Sequence, residues 1–174
     1  MDSIWGNLFK GERKKMEHLL NVLRDIPIFQ DLSNRELNCI ERILHRRHYN
    51  SDEVIFSQGS MGAGMYIIID GSVKVLTEPD GTLLAELGEG EFFGEIALLD
   101  EAPRSATAVA KTPCTVLGFF QGDLFGLTER NPKLGNKILL KLARMIGRRL
   151  LNANEQAHRL EDELNTIRAR NTGG

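Results

Sequence analysis

The stretch FGEIALLDEAPRSATAVA, residues 93–110, places one arginine among small residues in a region rich in acids. The guanidinium of Arg104 stays protonated in proteins, and its planar fork matches two oxygens of a phosphate group. Ser105 adds a hydroxyl donor beside it. Gly94 permits a sharp backbone turn, after which EIALL can begin a short helix whose free amides point toward an anion. The sequence therefore predicts a phosphate-binding segment at residues 93–106.

Glu95 does not fit a site for phosphate alone, because a carboxylate repels phosphate. It fits a ligand that also offers a hydroxyl group, since the carboxylate accepts a hydrogen bond from it. A phosphate joined to a sugar satisfies both requirements. The residue types leave an alternative open, in which Arg104 forms an ion pair with Glu95, Asp100 or Glu101 and has no ligand role.

Short β-strands must position this segment. From Asp52 onward the runs EVIFSQG, MYIIIDGSVKVLTE, TLLAELGEG, SATAVA and CTVLGFF are rich in β-forming residues and separated by turn residues. Eight glycines lie from Gly59 to Gly94, as expected where strands turn tight corners. The pattern predicts a mainly β fold, a small barrel or jelly roll over residues 51–120.

Helices are predicted on both sides of the strands. In residues 1–50, apolar residues at helical spacing and the capping-box sequence SNRE at 33–36 indicate two helices. HRRH at 45–48 places two histidines at helical spacing, which we interpret as surface rather than as a metal site. In residues 121–174, QGDLFGLTERNP predicts a short helix, and Asn131 followed by Pro132 begins a long one.

The long helix carries a heptad repeat. Its a positions are Ala143, Leu150, Ala157 and Leu164, and its d positions are Leu139, Ile146, Ala153, Leu160 and Ile167. Such a repeat predicts a parallel coiled-coil homodimer through residues 139–167. The alternative is an amphipathic helix that packs on its own barrel.

The composition indicates one soluble domain with an appendage, at 174 residues and 41% hydrophobic. The sequence has no apolar run of membrane-spanning length, and MDSIWGNLFKGERKK is unlike a secretory leader, so we expect a cytoplasmic protein without a membrane partner. Cys39 and Cys114 show no disulfide or zinc spacing. Residues 51–120 carry three Lys/Arg against eleven Asp/Glu, whereas residues 132–174 carry nine against four, which we interpret as the solvated face of the helix.

Catalysis is not expected. Residues 51–120 contain no histidine, although metal enzymes built on small barrels recruit imidazole ligands from the strands. The sequence also shows no motif that would place a catalytic nucleophile next to a general base. The sequence therefore predicts a protein that is not an enzyme and has no cofactor or metal.

Residues 93–106 closely resemble the phosphate-binding cassette of the cyclic-nucleotide-binding domain family. This family includes catabolite-activator-type regulators, regulatory subunits of cAMP-dependent protein kinase and cyclic-nucleotide-gated channels. The matching residues are Phe93, Gly94, Glu95, Ile96, Ala97, Leu98, Arg104, Ser105 and Ala106. The resemblance extends over about residues 22–155 and implies an eight-stranded β-roll flanked by helices.

The resemblance also implies roles for single residues. Glu95 would take the ribose 2′-hydroxyl; Arg104 and Ser105 would take the cyclic phosphate, helped by backbone amides near Ile96 and Ala97. Family positions that line the base pocket correspond to Ile69, Leu84 and Ala85, for which ordinary barrel core is an equal alternative. In RRLLNANEQ, the positions that meet the base correspond to Ala153 and Asn154, whereas Arg148 and Arg149 are interpreted as solvated.

The expected function is that of a cyclic-nucleotide sensor, for cAMP or cGMP, that signals through its dimeric helix or a downstream protein partner. Few residues follow the last heptad position, so a helix-turn-helix domain does not fit there and direct sequence-specific DNA binding is not expected. The alternative is a scaffold protein that keeps the fold and binds no nucleotide.

Overall fold

The computed structural model describes residues 16–171. Two antiparallel sheets of four strands form the centre, in the orders β1-β8-β3-β6 and β2-β7-β4-β5. The strands are β1 His45–Tyr49, β2 Val54–Phe56, β3 Gly64–Asp70, β4 Val73–Thr77, β5 Thr82–Leu87, β6 Phe92–Phe93, β7 Thr107–Ala110 and β8 Cys114–Phe120. The prediction of an eight-stranded β-roll with flanking helices is confirmed.

Four α-helices surround the roll in the part of the chain that the structure describes. Helix α1 covers residues 16–25. The others are α2 Asn34–Glu41, α3 Gln121–Arg130 and α4 Pro132–Asn171, and a short 3-10 helix, Glu95–Leu98, lies between β6 and β7. Asn131 caps α4 as predicted, because its side-chain oxygen accepts a hydrogen bond from the amide of Leu134 at 3.3 Å.

The helical interpretation of HRRH is wrong, because these residues belong to strand β1. The strand pairs antiparallel with β8, from His45 opposite Gly118 to Tyr49 opposite Cys114. The first four side chains of β1 are all exposed, so the strand shows no alternation of apolar and polar residues that could have revealed it. The first strand thus lies inside the segment that the sequence assigned to helices, and the surface location of the two histidines is confirmed.

The predicted capping box at the start of α2 is present. The amide of Glu36 donates to Oγ of Ser33 at 3.3 Å, and the amide of Ser33 donates to Oε2 of Glu36 at 2.7 Å. This second hydrogen bond holds the pKa of Glu36 below its ordinary value, against the opposing effect of burial. Glu36 also binds Lys137 of α4 at 3.2 Å, so the cap ties α2 to the long helix.

The main core lies between the helices and the sheet that contains β3 and β8. It brings together Leu23, Ile26 and Phe29 with Phe119 and with one face of α4, formed by Leu134, Ile138, Leu142 and Met145. A smaller cluster between the two sheets contains Ile68, Val73, Phe93 and Val116. Burial of this apolar surface is the main stabilising contribution, at about 25 cal/mol per Å².

The heptad stripe of α4 changes its surroundings along the helix. Leu139 and Ile146 pack partly against the main core, as the alternative of a helix on its own barrel requires. From Leu150 onward the stripe is exposed, with Leu160 at 60% and Ile167 at 54%. Nothing in the described chain covers this second half, and the homodimer stays a prediction.

Cys39 is half-buried and Cys114 is buried, and both are free thiols in the structure. Within residues 16–171, no helix combines the length and the apolar character that crossing a membrane requires.

The capping box generates a stability prediction. Ser33→Ala removes the oxygen that accepts from Glu36 and should lower the free energy of unfolding by about 1 kcal/mol, measured by urea denaturation. Ser57→Ala is the matched control, since Ser57 is exposed and its hydroxyl makes no hydrogen bond within residues 16–171. Equal stability of the two variants would show that the cap contributes nothing.

Candidate functional site

A cavity of about 470 Å³ opens beside the 3-10 helix. Its walls come from β4, β5 and β6, its floor from residues 94–97 and 102–105, and one side from α4 through Arg149. This volume lies in the range of small-molecule sites, which are mostly apolar with a few placed polar groups. The polar side chains here are Glu95, Arg104, Ser105 and Arg149, and the other lining residues are apolar or glycine.

Gly94 makes the turn that starts the 3-10 helix. Its φ is +74°, in the left-handed region that disfavours side chains. Its carbonyl oxygen accepts hydrogen bonds from Nη1 of Arg104 at 3.1 Å and from the amide of Ala97 at 3.2 Å. A Cβ at this position would lie 2.5 Å from Nη1 of Arg104. Gly94 is therefore required both by the backbone angle and by the close approach of the arginine.

Arg104 lines the cavity and is only 8% exposed. Its Nη2 donates to the carbonyl oxygen of Gly64 at 2.8 Å, and its Cζ stands 4.1 Å from the ring centroid of Phe56. Its Nε is buried and has no hydrogen-bond partner in the described part of the chain. Two neutral carbonyl groups and an aromatic face thus hold a cation that is largely removed from water.

The electrostatic surroundings of Arg104 follow from that burial. Burial lowers the pKa of its guanidinium from the ordinary value, and the electrostatic interactions with the Tyr66 phenol and the Glu95 carboxylate act in the opposite direction. The ion pair that the sequence left open is not formed: within residues 16–171, Arg104 bridges neither Glu95 nor Asp100 nor Glu101. A buried charge without an ionic partner costs free energy, which a bound anion would offset.

Glu95 forms its ion pair with Arg149 of α4 instead. Glu95 is only 6% exposed. The Cζ of Arg149 also lies 4.9 Å from the ring centroid of Phe92. The side chain of Arg149 is 49% exposed, in line with its interpretation as a solvated residue, but it also lines the cavity. The RRL motif pointed to both Arg148 and Arg149 as candidates. Only the path of α4 beside the cavity shows that Arg149 lines it and Arg148 does not.

Most of the predicted site residues meet at this cavity. Gly94, Glu95, Ile96, Ala97, Arg104, Ser105 and Ala85 all line it. Of the two amides predicted to face an anion, that of Ala97 already donates to the carbonyl oxygen of Gly94.

Ile69, Leu84 and Asn154 are not among the lining residues. Ile69 packs in the main core, which agrees with the barrel-core alternative. Leu84 is 56% exposed, because successive residues of a strand face opposite sides and its neighbour Ala85 faces the cavity. Asn154 is exposed on α4, five residues beyond Arg149, and its predicted approach to a base stays untested.

Several apolar lining residues were missed by the sequence analysis. Val75 lies directly opposite Ala85 in the β4–β5 pair, and Leu87 and Phe92 extend the same wall. The alternation of residue types along β4 and β5 could have indicated the two faces of these strands. It does not tell which face lines a ligand cavity. The described residues contain no group of three or more His, Cys, Asp or Glu that could hold a metal ion.

Comparison with known proteins agrees with this geometry. Residues 46–131 match the family model of the cyclic nucleotide-binding domain. The chain belongs to this family. It is similar to the cyclic AMP receptor protein of Thermus thermophilus, with 35% identity over 71% of this chain and 59% of that protein. The match thus spans about three fifths of that relative.

Solved structures of the family show the same architecture. The catabolite activator protein of Thermus thermophilus has 36% identity and a TM-score of 0.69, over 78% of this chain and 63% of that one. A cyclic nucleotide-binding domain from Methylobacillus flagellatus has 27% identity and a TM-score of 0.70, over 82% of each chain. The β-roll with its flanking helices is therefore a fold that this chain has in common with solved members of its family.

Gly94 and Gly90 allow a matched test of the cyclic nucleotide-binding domain. Both have positive φ, +74° and +81°, but a Cβ on Gly90 would meet nothing within 4 Å. Gly90→Ala should cost about 1–2 kcal/mol of stability from backbone strain alone, and Gly94→Ala should cost about 1 kcal/mol more because Arg104 must move. Urea denaturation measures the difference. Equal losses would mean that the guanidinium has room to shift.

Proposed function

We propose that the chain is a cAMP-binding regulatory module without catalytic activity. The observation that carries the proposal is the buried guanidinium of Arg104 at the cavity, whose Nε has no partner in the described chain. The name of the Thermus relative, a cyclic AMP receptor protein, supports cAMP as the nucleotide. A cGMP-dependent protein kinase of Drosophila melanogaster, 33% identical over 58% of this chain, keeps cGMP as the alternative. A cytoplasmic location rests on the sequence alone.

The cyclic phosphate is assigned to Arg104 and Ser105. Arg104 lines the cavity, and its Nε is free to donate a hydrogen bond. The exposed residue Ser105 lines the same cavity. The amide of Ile96 belongs to the first turn of the 3-10 helix, where backbone amides can bind an anion. A phosphate here would supply the negative charge that Arg104 lacks.

The ribose 2′-hydroxyl is assigned to Glu95. A carboxylate next to a phosphate would repel it, but the ion pair with Arg149 neutralises Glu95 and leaves oxygen lone pairs for a hydroxyl. Glu95 can therefore lie beside a bound phosphate without repelling it. The base is assigned to the apolar wall formed by Val75, Ala85 and Leu87.

The output is assigned to α4. Arg149 links the cavity to this helix, and the exposed stripe from Leu150 to Ile167 begins at the next residue. A ligand that changes the Glu95–Arg149 contact would shift α4 and with it whatever the stripe binds. We assign the stripe to a second copy of the chain, as a homodimer through residues 139–167 that acts on a downstream protein. In that dimer Asn154 is placed to approach the base in the partner.

The first test is nucleotide binding measured by calorimetry. cAMP should bind, and at about 100 times its dissociation constant it should stabilise the fold by roughly 2.7 kcal/mol. Arg104→Lys keeps the charge but loses the planar fork, so affinity should fall about tenfold or more. Arg46→Lys, an exposed arginine of β1, is the control and should bind as the wild type does.

Wild-type affinity in Arg104→Lys would remove Arg104 from the site. Absence of binding of cAMP and cGMP at millimolar concentration would favour the alternative of a scaffold that keeps the fold and binds no nucleotide.

The second test concerns the homodimer. Leu150→Asp places a charge at an a position of the heptad and should give monomers in sedimentation, at a cost of several kcal/mol for a buried unpaired charge. Leu151→Asp is the matched control, since Leu151 is equally exposed, 64% against 61%, but lies outside the a and d positions. If both variants sediment as the wild type does, the stripe is not a dimer seam.

A further inference from the structure

A second cavity, of about 340 Å³, lies between α4 and the turn that follows α1. The turn contributes Pro27, Gln30 and Asp31. Helix α4 contributes four cationic side chains, Lys141, Arg144, Arg148 and Arg149. We call this the basic cavity. Its lining therefore holds four cations and a single carboxylate.

Two of the four cations already have ionic partners. Lys141 bridges Asp31 at 2.9 Å, and this contact holds the pKa of Asp31 below its ordinary value. Arg149 bridges Glu95, as described above. Arg144 and Arg148 form no ion pair or hydrogen bond with any residue from 16 to 171 whose side chain the structure describes. The positive charge of the basic cavity is therefore uncompensated at these two arginines.

The four residues Lys137, Lys141, Arg144 and Arg148 form one row along α4, at spacings of four, three and four. The first two each meet a carboxylate of the facing segment, Glu36 and Asp31. The last two face the basic cavity, and like charges four residues apart on a helix repel each other. An anion from outside the chain would give Arg144 and Arg148 the negative partner that Glu36 and Asp31 give Lys137 and Lys141.

We propose that the basic cavity is a second anion-binding site, for the phosphate group of a small phosphate monoester. Arg144 and Arg148 each offer a planar fork that matches phosphate oxygens, and the amide of Asn152 adds a neutral donor. Met145, 9% exposed, and Pro27 form an apolar surface beside them. The volume of the cavity is at the small end of the range for small-molecule sites.

The site is distinct from the nucleotide cavity, although the two share one side chain. Arg149 lines both cavities, whereas Arg144 and Arg148 line only the basic one and Arg104 lines only the other. Phosphate binding by Arg144 and Arg148 therefore does not require that the first cavity bind a nucleotide.

Methionine methyl groups report the two cavities separately. Met145 lines the basic cavity, and Met61 forms a β-bridge with Pro103 at the nucleotide cavity. We would label the methionine methyl carbons with ¹³C, assign the signals with Met145→Leu and Met61→Leu, and titrate inorganic phosphate against chloride at constant ionic strength. The Met145 signal should move and saturate. A shift of Met61 alone would place phosphate only in the nucleotide cavity and overturn the proposal.

Charge-matched variants test the residues. Arg144→Gln combined with Arg148→Gln should weaken phosphate binding at the Met145 signal at least about tenfold. Arg46→Gln combined with Arg47→Gln removes the same charge from exposed positions of β1 and should change it little. Equal weakening in both double variants, or an unmoved Met145 signal in the wild type, would overturn the proposal.

A further variant is expected to tighten phosphate binding, a result that loss of folding could not produce. Asp31→Asn removes the carboxylate that neutralises Lys141, which keeps its hydrogen bond to the carbonyl oxygen of Gln30, and should tighten phosphate binding severalfold. Asp31 has a φ of +64°, which asparagine tolerates, so the turn should keep its shape. Unchanged or weaker binding in a folded Asp31→Asn protein would count against the basic cavity as the site.

Discussion

The structure of the site depends on one buried cation, the guanidinium of Arg104. It is held by the carbonyl oxygens of Gly64 and Gly94 and by the ring of Phe56, so strands β2 and β3 and the turn before the 3-10 helix meet around one side chain. A charge removed from water is costly unless it is compensated. The fold meets only part of that requirement with neutral groups, because Nε of Arg104 has no hydrogen-bond partner in the described chain.

The contact between Glu95 and Arg149 carries this constraint to the rest of the molecule. Glu95 of the 3-10 helix binds Arg149 of α4, at the point where α4 leaves the core. Before that point, Leu134, Ile138 and Leu142 anchor α4 in the main core, and beyond it the apolar stripe is exposed. The cavity and the exposed half of α4 therefore meet at one ion pair.

The sequence predicted the parts of this protein whose signals are local. The capping box at Ser33, the start of α4 at Asn131 and the turn at Gly94 each depend on residues a few positions apart, and each is present. Most strands after Asp52 followed from turn residues and β-forming runs. Strand β1 was missed because its side chains are polar and exposed, so that only its pairing with β8 defines it.

The sequence by itself determined the mainly β class of fold, the turn at Gly94 and the apolar repeat of α4, and its family resemblance implied the eight strands. Only the tertiary structure decided which charges meet. It separated Arg104 from the nearby acids and paired Glu95 with Arg149, 54 positions away. It also put Ala85 at the cavity and Leu84 on the outside. The physical reason is that ion pairs and cavity walls depend on how distant segments pack, whereas caps, turns and periodicity depend on neighbours along the chain.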